Sequence, residues 1–160
     1  MSDRLRLDEV VATDADRLYA ALTDPAMSDE TRSPFRSLAG TMLWVGHRVD
    51  DRDSHGLCSY LLRDRDTGEL VGVCGVRLGQ AAAEPELGYR IAARYRRRSL
   101  ATEAATAVVD ECRNAGLRRV WASIRPDNIA SRRVVEQLGM RLAATDQDNS
   151  GPLHRYTVEL

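Results

Sequence analysis

The hydrophobic and polar positions of the chain follow two periods, which together predict both strands and helices. Alternation of every second residue, or a short apolar run, is typical of a strand. Such segments lie at 3–10, 58–63, 69–77, 86–92, 120–124, 140–144 and 154–160. Apolar residues three or four positions apart are typical of a helix with one buried face. This spacing predicts helices that begin after Thr13 or Asp14, span 38–49 and 100–115, and run from Asn128 to Gly139.

Glycines and polar clusters mark the ends of these segments. The cluster 64–68 ends in glycine and predicts a β-hairpin between the second and third strands. Gly116 and Gly139 follow apolar helical faces and predict left-handed stops. A turn at Gly151 and Pro152 separates the last two strands, and the polar stretch 24–37, which holds two prolines, is predicted to be a loop.

Each predicted helix has a face expected to be buried. In chain order these faces consist of Leu18, Ala21 and Leu22; Leu38, Met42, Val45 and Val49; Ala101, Ala104, Ala105, Val108, Cys112 and Ala115; and Ile129, Val134, Val135 and Leu138. We find no repeat, low-complexity tract or linker, so residues 1–160 are predicted to be one α+β domain in which helices flank a mixed sheet.

Composition narrows the class of protein. The 160 residues are 43% hydrophobic and 29% charged, which excludes a disordered or fibrous chain. The 23 basic residues are all arginine and face 24 acidic residues, and a net charge of -1 excludes a domain that is basic throughout, as non-specific nucleic-acid binders are. No apolar window is long enough to span a membrane and the first residues lack a signal-peptide layout, so we expect a cytoplasmic protein.

The cysteines give no sign of a metal or disulfide site. Cys58, Cys74 and Cys112 are odd in number and form no CxxC pair, so a disulfide framework and a thiolate zinc site are not indicated. We expect no metal and interpret the three as small buried hydrophobic residues.

The segment between the strand 86–92 and the helix 100–115 carries the strongest chemical signal. It places Arg94, Arg96, Arg97 and Arg98 just before a helix N-terminus, where unpaired amides already favour anions. Cations destabilise that end of a helix unless an anion offsets them, so the position favours a phosphate-bearing ligand. A solvated turn and an RNA-binding patch are the alternatives, and the net charge argues against RNA.

Several motifs resemble the GNAT superfamily of acetyl-CoA-dependent N-acetyltransferases, and within it the RimJ/RimL-type branch. They are the runs 87–92 (Leu-Gly-Tyr-Arg-Ile-Ala) and 96–104 (Arg-Arg-Arg-Ser-Leu-Ala-Thr-Glu-Ala), the run 128–131 (Asn-Ile-Ala-Ser) and the run 138–140 (Leu-Gly-Met). The resemblance covers the chain from about residue 4 to its C-terminus. It implies a GNAT-like fold with a mostly antiparallel sheet of about seven strands and about four helices.

The resemblance assigns acetyl-CoA to the arginine-rich segment. In the family the backbone amides of this loop hold the diphosphate, and the residues matched to it are Arg96, Arg97, Arg98, Ser99, Leu100, Ala101 and Thr102. Ser99 stands where the family has glycine, and Arg97 stands where this branch often has another. We expect Ser99 to cap the helix with its hydroxyl, while the surplus arginines compensate electrostatically for the missing glycine. A weaker affinity for the cofactor is the alternative.

Further cofactor contacts are expected from the strand 86–92 and the helix after it. The family splays two strands apart and binds the pantetheine arm there, which implies contacts near Arg90, Ile91 and Ala92, with the Arg90 N–H stabilising the oxyanion. Asn128 is expected to bind the pantetheine amide or to cap its own helix.

Two residues are candidates for catalysis. Glu86 aligns with a carboxylate that removes the proton of the amine, and the alternative is an exposed residue at a strand end. His47, His55 and His154 are substitutes for that base. Many GNAT enzymes protonate the leaving thiolate with a tyrosine, but here Val135 occupies that position and Ser131 is the candidate.

The sequence therefore predicts an N-acetyltransferase in which a primary amine, such as a protein N-terminus or a small molecule, attacks acetyl-CoA directly. A weakly active or inactive coenzyme A-binding regulator is the alternative, because of Ser99 and the absent tyrosine. The resemblance also allows a homodimer, and it leaves the amine acceptor open.

Overall fold

A computed structural model describes residues 2–23, 33–78 and 84–160. The strands are β1 (Leu5–Glu9), β2 (Ser59–Asp64), β3 (Leu70–Leu78), β4 (Pro85–Ile91), β5 (Arg119–Ile124), β6 (Arg141–Asp148) and β7 (Gly151–Glu159). The helices are α1 (Ala15–Leu22), α2 (Leu38–His55), α3 (Leu100–Asn114) and α4 (Ile129–Gln137). These elements confirm the predicted α+β class, although most of the predicted loop 24–37 lies outside the described residues.

All seven strands form one sheet in the order β1-β2-β3-β4-β5-β7-β6. Neighbouring strands are antiparallel except β4 and β5, which are parallel and are joined by α3. A parallel pair needs such a crossover because its chain must return to the same end of the sheet.

Side chains of opposed strand residues share a face, so the register locates the helices. Tyr60 of β2, Cys74 of β3 and Tyr89 of β4 lie side by side. The Tyr60 hydroxyl donates to Glu111 of α3 at 2.6 Å. Tyr89 therefore points to the face covered by α3, and α4 packs against α3 on that side.

The opposite face belongs to α1 and α2. Arg90, next to Tyr89 in β4, points there and donates from Nη2 to the Leu22 carbonyl of α1 at 3.4 Å. Because strand residues alternate between faces, Glu86 and Gly88 point to the same side. The two faces of β4 thus present different chemistry to two different helix layers.

Local signals explain most of the element ends. In the predicted hairpin between β2 and β3, the amides of Asp66 and Thr67 donate to the Asp64 carboxylate at 3.0 and 2.9 Å, and Gly68 takes a left-handed φ of 72°. Helix α2 runs six residues past the predicted end at Val49 and stops at Gly56, which is also left-handed with φ 66°. The last hairpin is longer than predicted, since β6 extends to Asp148.

Some predicted inward positions are wrong. Met42 is 58% exposed and Ile129 is 49% exposed, and Leu38 and Ala115 are exposed as well. Leu38 and Ile129 begin their helices and Ala115 follows the end of α3, whereas Met42 lies in the first half of α2. The predicted central positions Val45, Val108 and Val135 are fully buried or nearly so.

Candidate functional site

Strands β4 and β5 diverge soon after they begin. The parallel pair is in register at Glu86 and Trp121, and within the described part of the chain no later residue of β4 pairs with β5. Strand β4 nevertheless continues to Ile91 and β5 to Ile124. The opening between them offers an unpaired strand edge, to which an extended ligand can add through main-chain hydrogen bonds.

Main-chain groups of β4 alternate between β3 and this opening. The Ala92 N–H donates to a β3 carbonyl at 2.9 Å, and the Arg90 carbonyl lies so close to Gly72 of β3 that a Cβ there would collide with it. Alternate residues of an antiparallel strand bond to the same neighbour. The main chain of Arg90 therefore faces β3, whereas Tyr89 and Ile91 present their N–H and C=O groups to the opening.

The loop between β4 and α3 has a glycine-like backbone without glycine. Arg97 has φ 61° and Ser99 has φ 59°, both in the left-handed region. These are the two positions at which the resembled family carries glycine. The fold thus keeps the backbone shape of the motif and accepts the steric cost of two Cβ atoms there.

The expected capping role of Ser99 is wrong. Ser99 is the N-cap residue of α3, but its side chain makes no capping hydrogen bond because the left-handed backbone directs it away. The first helical bond runs from the Glu103 N–H to the Ser99 carbonyl at 3.1 Å. The amides of Leu100, Ala101 and Thr102 precede this ladder and point out of the helix end, which is the arrangement that binds anions.

The arginines of the cluster differ in their contacts. Arg94 and Arg98 stack on the ring of the buried Tyr95, with guanidinium carbons 5.0 and 5.6 Å from its centre. Arg96 donates from Nε to the Ile91 carbonyl at 3.2 Å, which ties the loop to the edge of the opening. Arg97 is exposed beside the helix N-terminus. The predicted cluster is therefore partly structural and partly available to an anion.

The residues just before β1 brace this loop. Arg4 donates from Nη1 to the Arg98 carbonyl at 3.1 Å, and its Nη2 lies 2.6 Å from Glu103 Oε2. The Ser2 hydroxyl and the Arg4 N–H also donate to the Glu103 carboxylate, at 2.6 and 2.8 Å. Burial alone would raise the pKa of Glu103, but these donors outweigh it and hold the pKa below its usual range. Glu103 thus anchors β1 to the start of α3, a contact that its sequence position did not reveal.

Glu86 is buried at the start of the opening, with 4% of its surface exposed. Its Oε2 pairs with Arg77 Nη2 at 2.5 Å, and its Oε1 accepts a hydrogen bond from the Ser123 hydroxyl of β5. The exposed strand end that was the alternative reading is thereby excluded. A buried carboxylate with one arginine and one hydroxyl partner is able to exchange protons with a group in the opening.

The histidines lie elsewhere. His47 and His55 are exposed on α2, and His154 is half-buried on β7 opposite Ile124. Among the sequence-predicted bases, Glu86 alone is described at the point where β4 and β5 part.

The start of α4 closes the other side of the opening. Asn128 caps its own helix, since its Oδ1 accepts from the Ser131 N–H at 3.0 Å. The Tyr89 hydroxyl donates to the Ser131 carbonyl at 3.1 Å and so links β4 to α4. Burial raises the pKa of Tyr89 to about 12, and the phenol stays protonated at neutral pH. Val135, in the position of the missing tyrosine, is fully buried.

A cavity of about 220 Å³ lies on the α1/α2 face of the sheet, and its lining includes Arg77, the ion-pair partner of Glu86. Gly88 lies in its floor, and Phe35, Trp44, Arg48, Arg77 and Arg90 are among its walls. The sequence alone did not identify Ser123, Arg77, Tyr89 or the cavity walls, because they come from elements far apart along the chain.

Two absences concern the described residues. No group of three His, Cys, Asp or Glu side chains there converges as a metal site would require. None of the helices within those residues combines the length and apolar character needed to cross a bilayer.

Comparison with known proteins adds to this geometry. Residues 4–141 match the family model described as an acetyltransferase (GNAT) domain. The chain is 29% identical over 159 residues to the uncharacterized protein YkkB of Bacillus subtilis (strain 168), covering 98% of this chain and 92% of the relative. It is also 26% identical over 147 residues to the uncharacterized N-acetyltransferase YoaA of the same organism, covering 88% of this chain and 81% of the relative.

Solved structures show the same fold. A putative GNAT-family acetyltransferase from Bordetella pertussis superimposes with a TM-score of 0.85 at 23% identity, covering 98% of this chain and 96% of that one. RimL, a ribosomal L7/L12 α-N-protein acetyltransferase solved with coenzyme A, gives 0.84 at 16% identity, covering 99% and 96%. RimJ of Mycobacterium smegmatis, solved with a coenzyme A disulfide, gives 0.77 at 20% identity, covering 99% and 86%.

Proposed function

The chain belongs to the GNAT acetyltransferase family, and from this premise we propose that it acetylates a primary amine by direct attack of the nitrogen on acetyl-CoA bound in the β4–β5 opening. The observation that carries the proposal is that β4, whose free edge lines the opening, leads directly into the loop whose amides stand free at the start of α3. Diphosphate, pantetheine and thioester are thereby assigned to consecutive parts of one groove.

The diphosphate is assigned to the amides of residues 99–102, with Arg97 and the nearby arginines supplying positive charge. The pantetheine arm is assigned to the β4 edge, where the Tyr89 and Ile91 main chains face the opening. The main chain of Arg90 faces β3, so the Arg90 N–H that was expected to stabilise the oxyanion is not the one assigned here. An N–H at this edge, in line with the thioester oxygen, stabilises the oxyanion formed on attack.

Glu86 acts as the base in this proposal. An ammonium ion must lose a proton before its nitrogen can attack, and the Glu86 carboxylate accepts that proton directly or through water. The neutral nitrogen then forms a bond to the acetyl carbon and the carbon–sulfur bond breaks. The nitrogen releases a second proton, and the departing thiolate takes up one proton to become coenzyme A.

Ser131 is the proposed proton donor to the thiolate. It lies in the first turn of α4, and its carbonyl accepts the Tyr89 hydroxyl. Asn128, besides capping α4, is proposed to bind the pantetheine amide. The Tyr89 phenol, held at the same point, is a second hydroxyl near the opening.

The test combines cofactor binding with turnover. We expect calorimetry to detect acetyl-CoA binding, and Glu86→Gln to keep that binding while lowering kcat by about 10²- to 10⁴-fold. The exposed Glu136→Gln serves as the matched control. Full turnover in Glu86→Gln with normal cofactor binding would remove Glu86 from the mechanism.

Binding of acetyl-CoA without thiol release for any amine would favour the regulator instead. A homodimer also remains a proposal drawn from the family resemblance, and light scattering of the purified protein measures it.

A further inference from the structure

The Glu86 carboxylate is almost closed to direct contact with an acceptor. Only 4% of the residue is exposed. Its Oε2 lies 2.5 Å from Arg77 Nη2, and its Oε1 accepts a hydrogen bond from the Ser123 hydroxyl. An amine that touched either oxygen would displace one of these partners, so a proton from the opening needs a carrier to reach Glu86.

Ser123 lies between Glu86 and the opening. Strands β4 and β5 pair at Glu86 and Trp121, and Ser123 follows Trp121 by two residues on the same face of β5. Ser123 is only half-buried, so it has surface that a molecule in the opening can reach. The hydroxyl thus connects this accessible surface with the buried carboxylate.

Gly88 leaves room for a nitrogen across from Ser123. It follows Glu86 by two residues, just as Ser123 follows Trp121, so the two residues stand on opposite sides of the opening, one step past the last pair. Apart from its chain neighbours, no described heavy atom lies within 4 Å of a Cβ placed on Gly88, which also lines the cavity on this face. A nitrogen that enters here meets the Ser123 hydroxyl before it meets the Glu86 carboxylate.

The hydroxyl has the chemistry that a proton carrier needs. Serine donates one proton and accepts hydrogen bonds through the lone pairs of the same oxygen. Ser123 Oγ can therefore accept an N–H of the amine while it donates its own proton to Glu86 Oε1. Arg77 holds the other carboxylate oxygen and so fixes Oε1 toward Ser123.

We infer that Ser123 is a further catalytic residue, which relays the proton of the amine to Glu86. The inference rests on the proposed function. One N–H bond of the ammonium ion breaks as Ser123 Oγ takes up that proton, and the original Oγ–H bond breaks as Glu86 Oε1 takes up the other. The serine is again a hydroxyl, Glu86 is a carboxylic acid and the amine is neutral. The reverse path returns the proton to water after the product leaves.

Arginines from three elements face this pair. Arg77 of β3 holds Glu86, and Arg155 of β7 lies opposite Ser123 in the strand register. Burial lowers the pKa of Arg48 on α2, and the charge of Glu86 is among the influences that raise it. Arginine keeps its charge throughout the pH range of an enzyme assay. A change of rate with pH therefore reports on the amine and on Glu86, and not on these cations.

The pH dependence of a serine variant tests the relay. With the tripeptide Ala-Ala-Ala as acceptor, whose α-amino pKa is about 8, we expect Ser123→Ala to lower kcat/KM for thiol release about 10²-fold at pH 7. The loss should shrink at pH 9, where the amine is already neutral before it binds. Ser123→Thr keeps a hydroxyl and most of the rate, and Ser54→Ala, at an exposed position of α2, is the control.

Two kinetic outcomes overturn the inference. One is a loss in Ser123→Ala that is absent or equal at both pH values, since a merely structural defect does not depend on the protonation of the amine. The other is additivity. If Ser123 acts with Glu86, adding Ser123→Ala to Glu86→Gln costs no further activity.

A thiol at position 123 tests the geometry without turnover. We expect iodoacetamide to alkylate Ser123→Cys, as peptide mass spectrometry measures, and acetyl-CoA to protect it. Adding Glu86→Gln should speed alkylation at neutral pH, because loss of a neighbouring negative charge lowers the pKa of a thiol. Ser54→Cys is the control, which acetyl-CoA and Glu86→Gln leave unchanged.

This inference and the proposed function fail in different ways. A thiol in Ser123→Cys that does not react, that stays unprotected although calorimetry shows acetyl-CoA binding, or that does not respond to Glu86→Gln overturns the relay alone. Failure of the wild-type protein to bind acetyl-CoA overturns the proposed function instead.

Discussion

Two residues before α3 hold a backbone conformation that costs free energy in any residue except glycine. Arg97 and Ser99 both have φ near 60°, and the left-handed region costs an L-residue about 1–2 kcal/mol. The cost persists because this conformation turns the amides after Ser99 out of the helix end. An anion site built without glycine at these two positions therefore requires a strained backbone.

Replacing Ser99 tests this interpretation. Ser99→Gly relieves the steric cost but increases the freedom of the unfolded chain, and we expect a net gain of about 0.5–1 kcal/mol in the free energy of unfolding. Acetyl-CoA binding should remain or strengthen. Ser99→Val, whose branched side chain resists φ above zero, should lose stability and affinity together. Denaturant unfolding and calorimetry measure both quantities, and a glycine variant that binds more weakly than wild type would contradict the account.

Glu103 gives a prediction that depends on pH. Although burial opposes them, hydrogen bonds from Ser2 and Arg4 hold its pKa below the usual 4.5, so the folded protein binds a proton less readily than the unfolded chain. The stabilisation is therefore complete above about pH 4.5 and disappears as the pH falls through the folded pKa. At pH 7 we expect Glu103→Gln to lower the free energy of unfolding by about 1–2 kcal/mol.

Comparison across pH isolates this contribution. The difference between wild type and Glu103→Gln should shrink as the protein is acidified, whereas the exposed Glu136→Gln should differ little from wild type at any pH. A difference that stays constant between pH 7 and pH 3 would show that the carboxylate charge is not what braces Arg4 and the loop.

Strand β4 combines the functions of several elements. One face carries Gly88 and Arg90 to the cavity and Glu86 to Arg77 and Ser123. The other face carries Tyr89 toward α4, and the free edge of the strand lines the opening. A larger side chain on this strand that fills the cavity should therefore weaken acceptor binding and leave cofactor binding unchanged.

Gly88→Leu makes that separation. The new side chain enters open space and should raise KM for the amine about tenfold or more, while acetyl-CoA affinity stays unchanged. Gly46→Leu on the exposed side of α2, where an added Cβ also meets no described heavy atom within 4 Å beyond its own helix and chain neighbours, is the control. Loss of acetyl-CoA binding in Gly88→Leu, with the fold intact, would show that the cavity belongs to the cofactor.

Sequence patterns predict an element well where its apolar face is continuous. The predicted apolar face of α3 is correct, since its residues Ala104, Ala105, Val108 and Cys112 are all buried. The extension of α2 through 50–55 was missed because those residues are polar and give no apolar period. Met42 keeps the apolar spacing of α2 and is nevertheless 58% exposed.

Part of the candidate site could be predicted from sequence and part could not. Glu86 and the loop 96–102 are close in sequence, so a local motif identifies them. Arg77 and Ser123 come from β3 and β5, and only the packing of the sheet brings them to Glu86. The left-handed backbone of Ser99 was also not predicted, since serine ordinarily marks a capping residue.

At the scale of the molecule, the proposed direct attack needs no covalent intermediate on the protein. Burial raises the pKa of the Cys112 thiol to about 11 and that of Cys74 further, so neither is a ready nucleophile. We expect Cys58→Ala, Cys74→Ala and Cys112→Ala each to keep thiol release near the wild-type rate, apart from a modest loss of stability at the two buried positions. Abolished transfer in any folded variant would require a different mechanism.

The central claim of the account is that acetyl-CoA lies between β4 and β5 with its diphosphate at the start of α3. Isothermal titration of the purified protein with acetyl-CoA at low and high salt tests this claim directly. The account predicts one site per chain, with affinity that weakens as salt screens the arginines. The absence of binding heat at low salt, in a protein that is folded by circular dichroism, would contradict it.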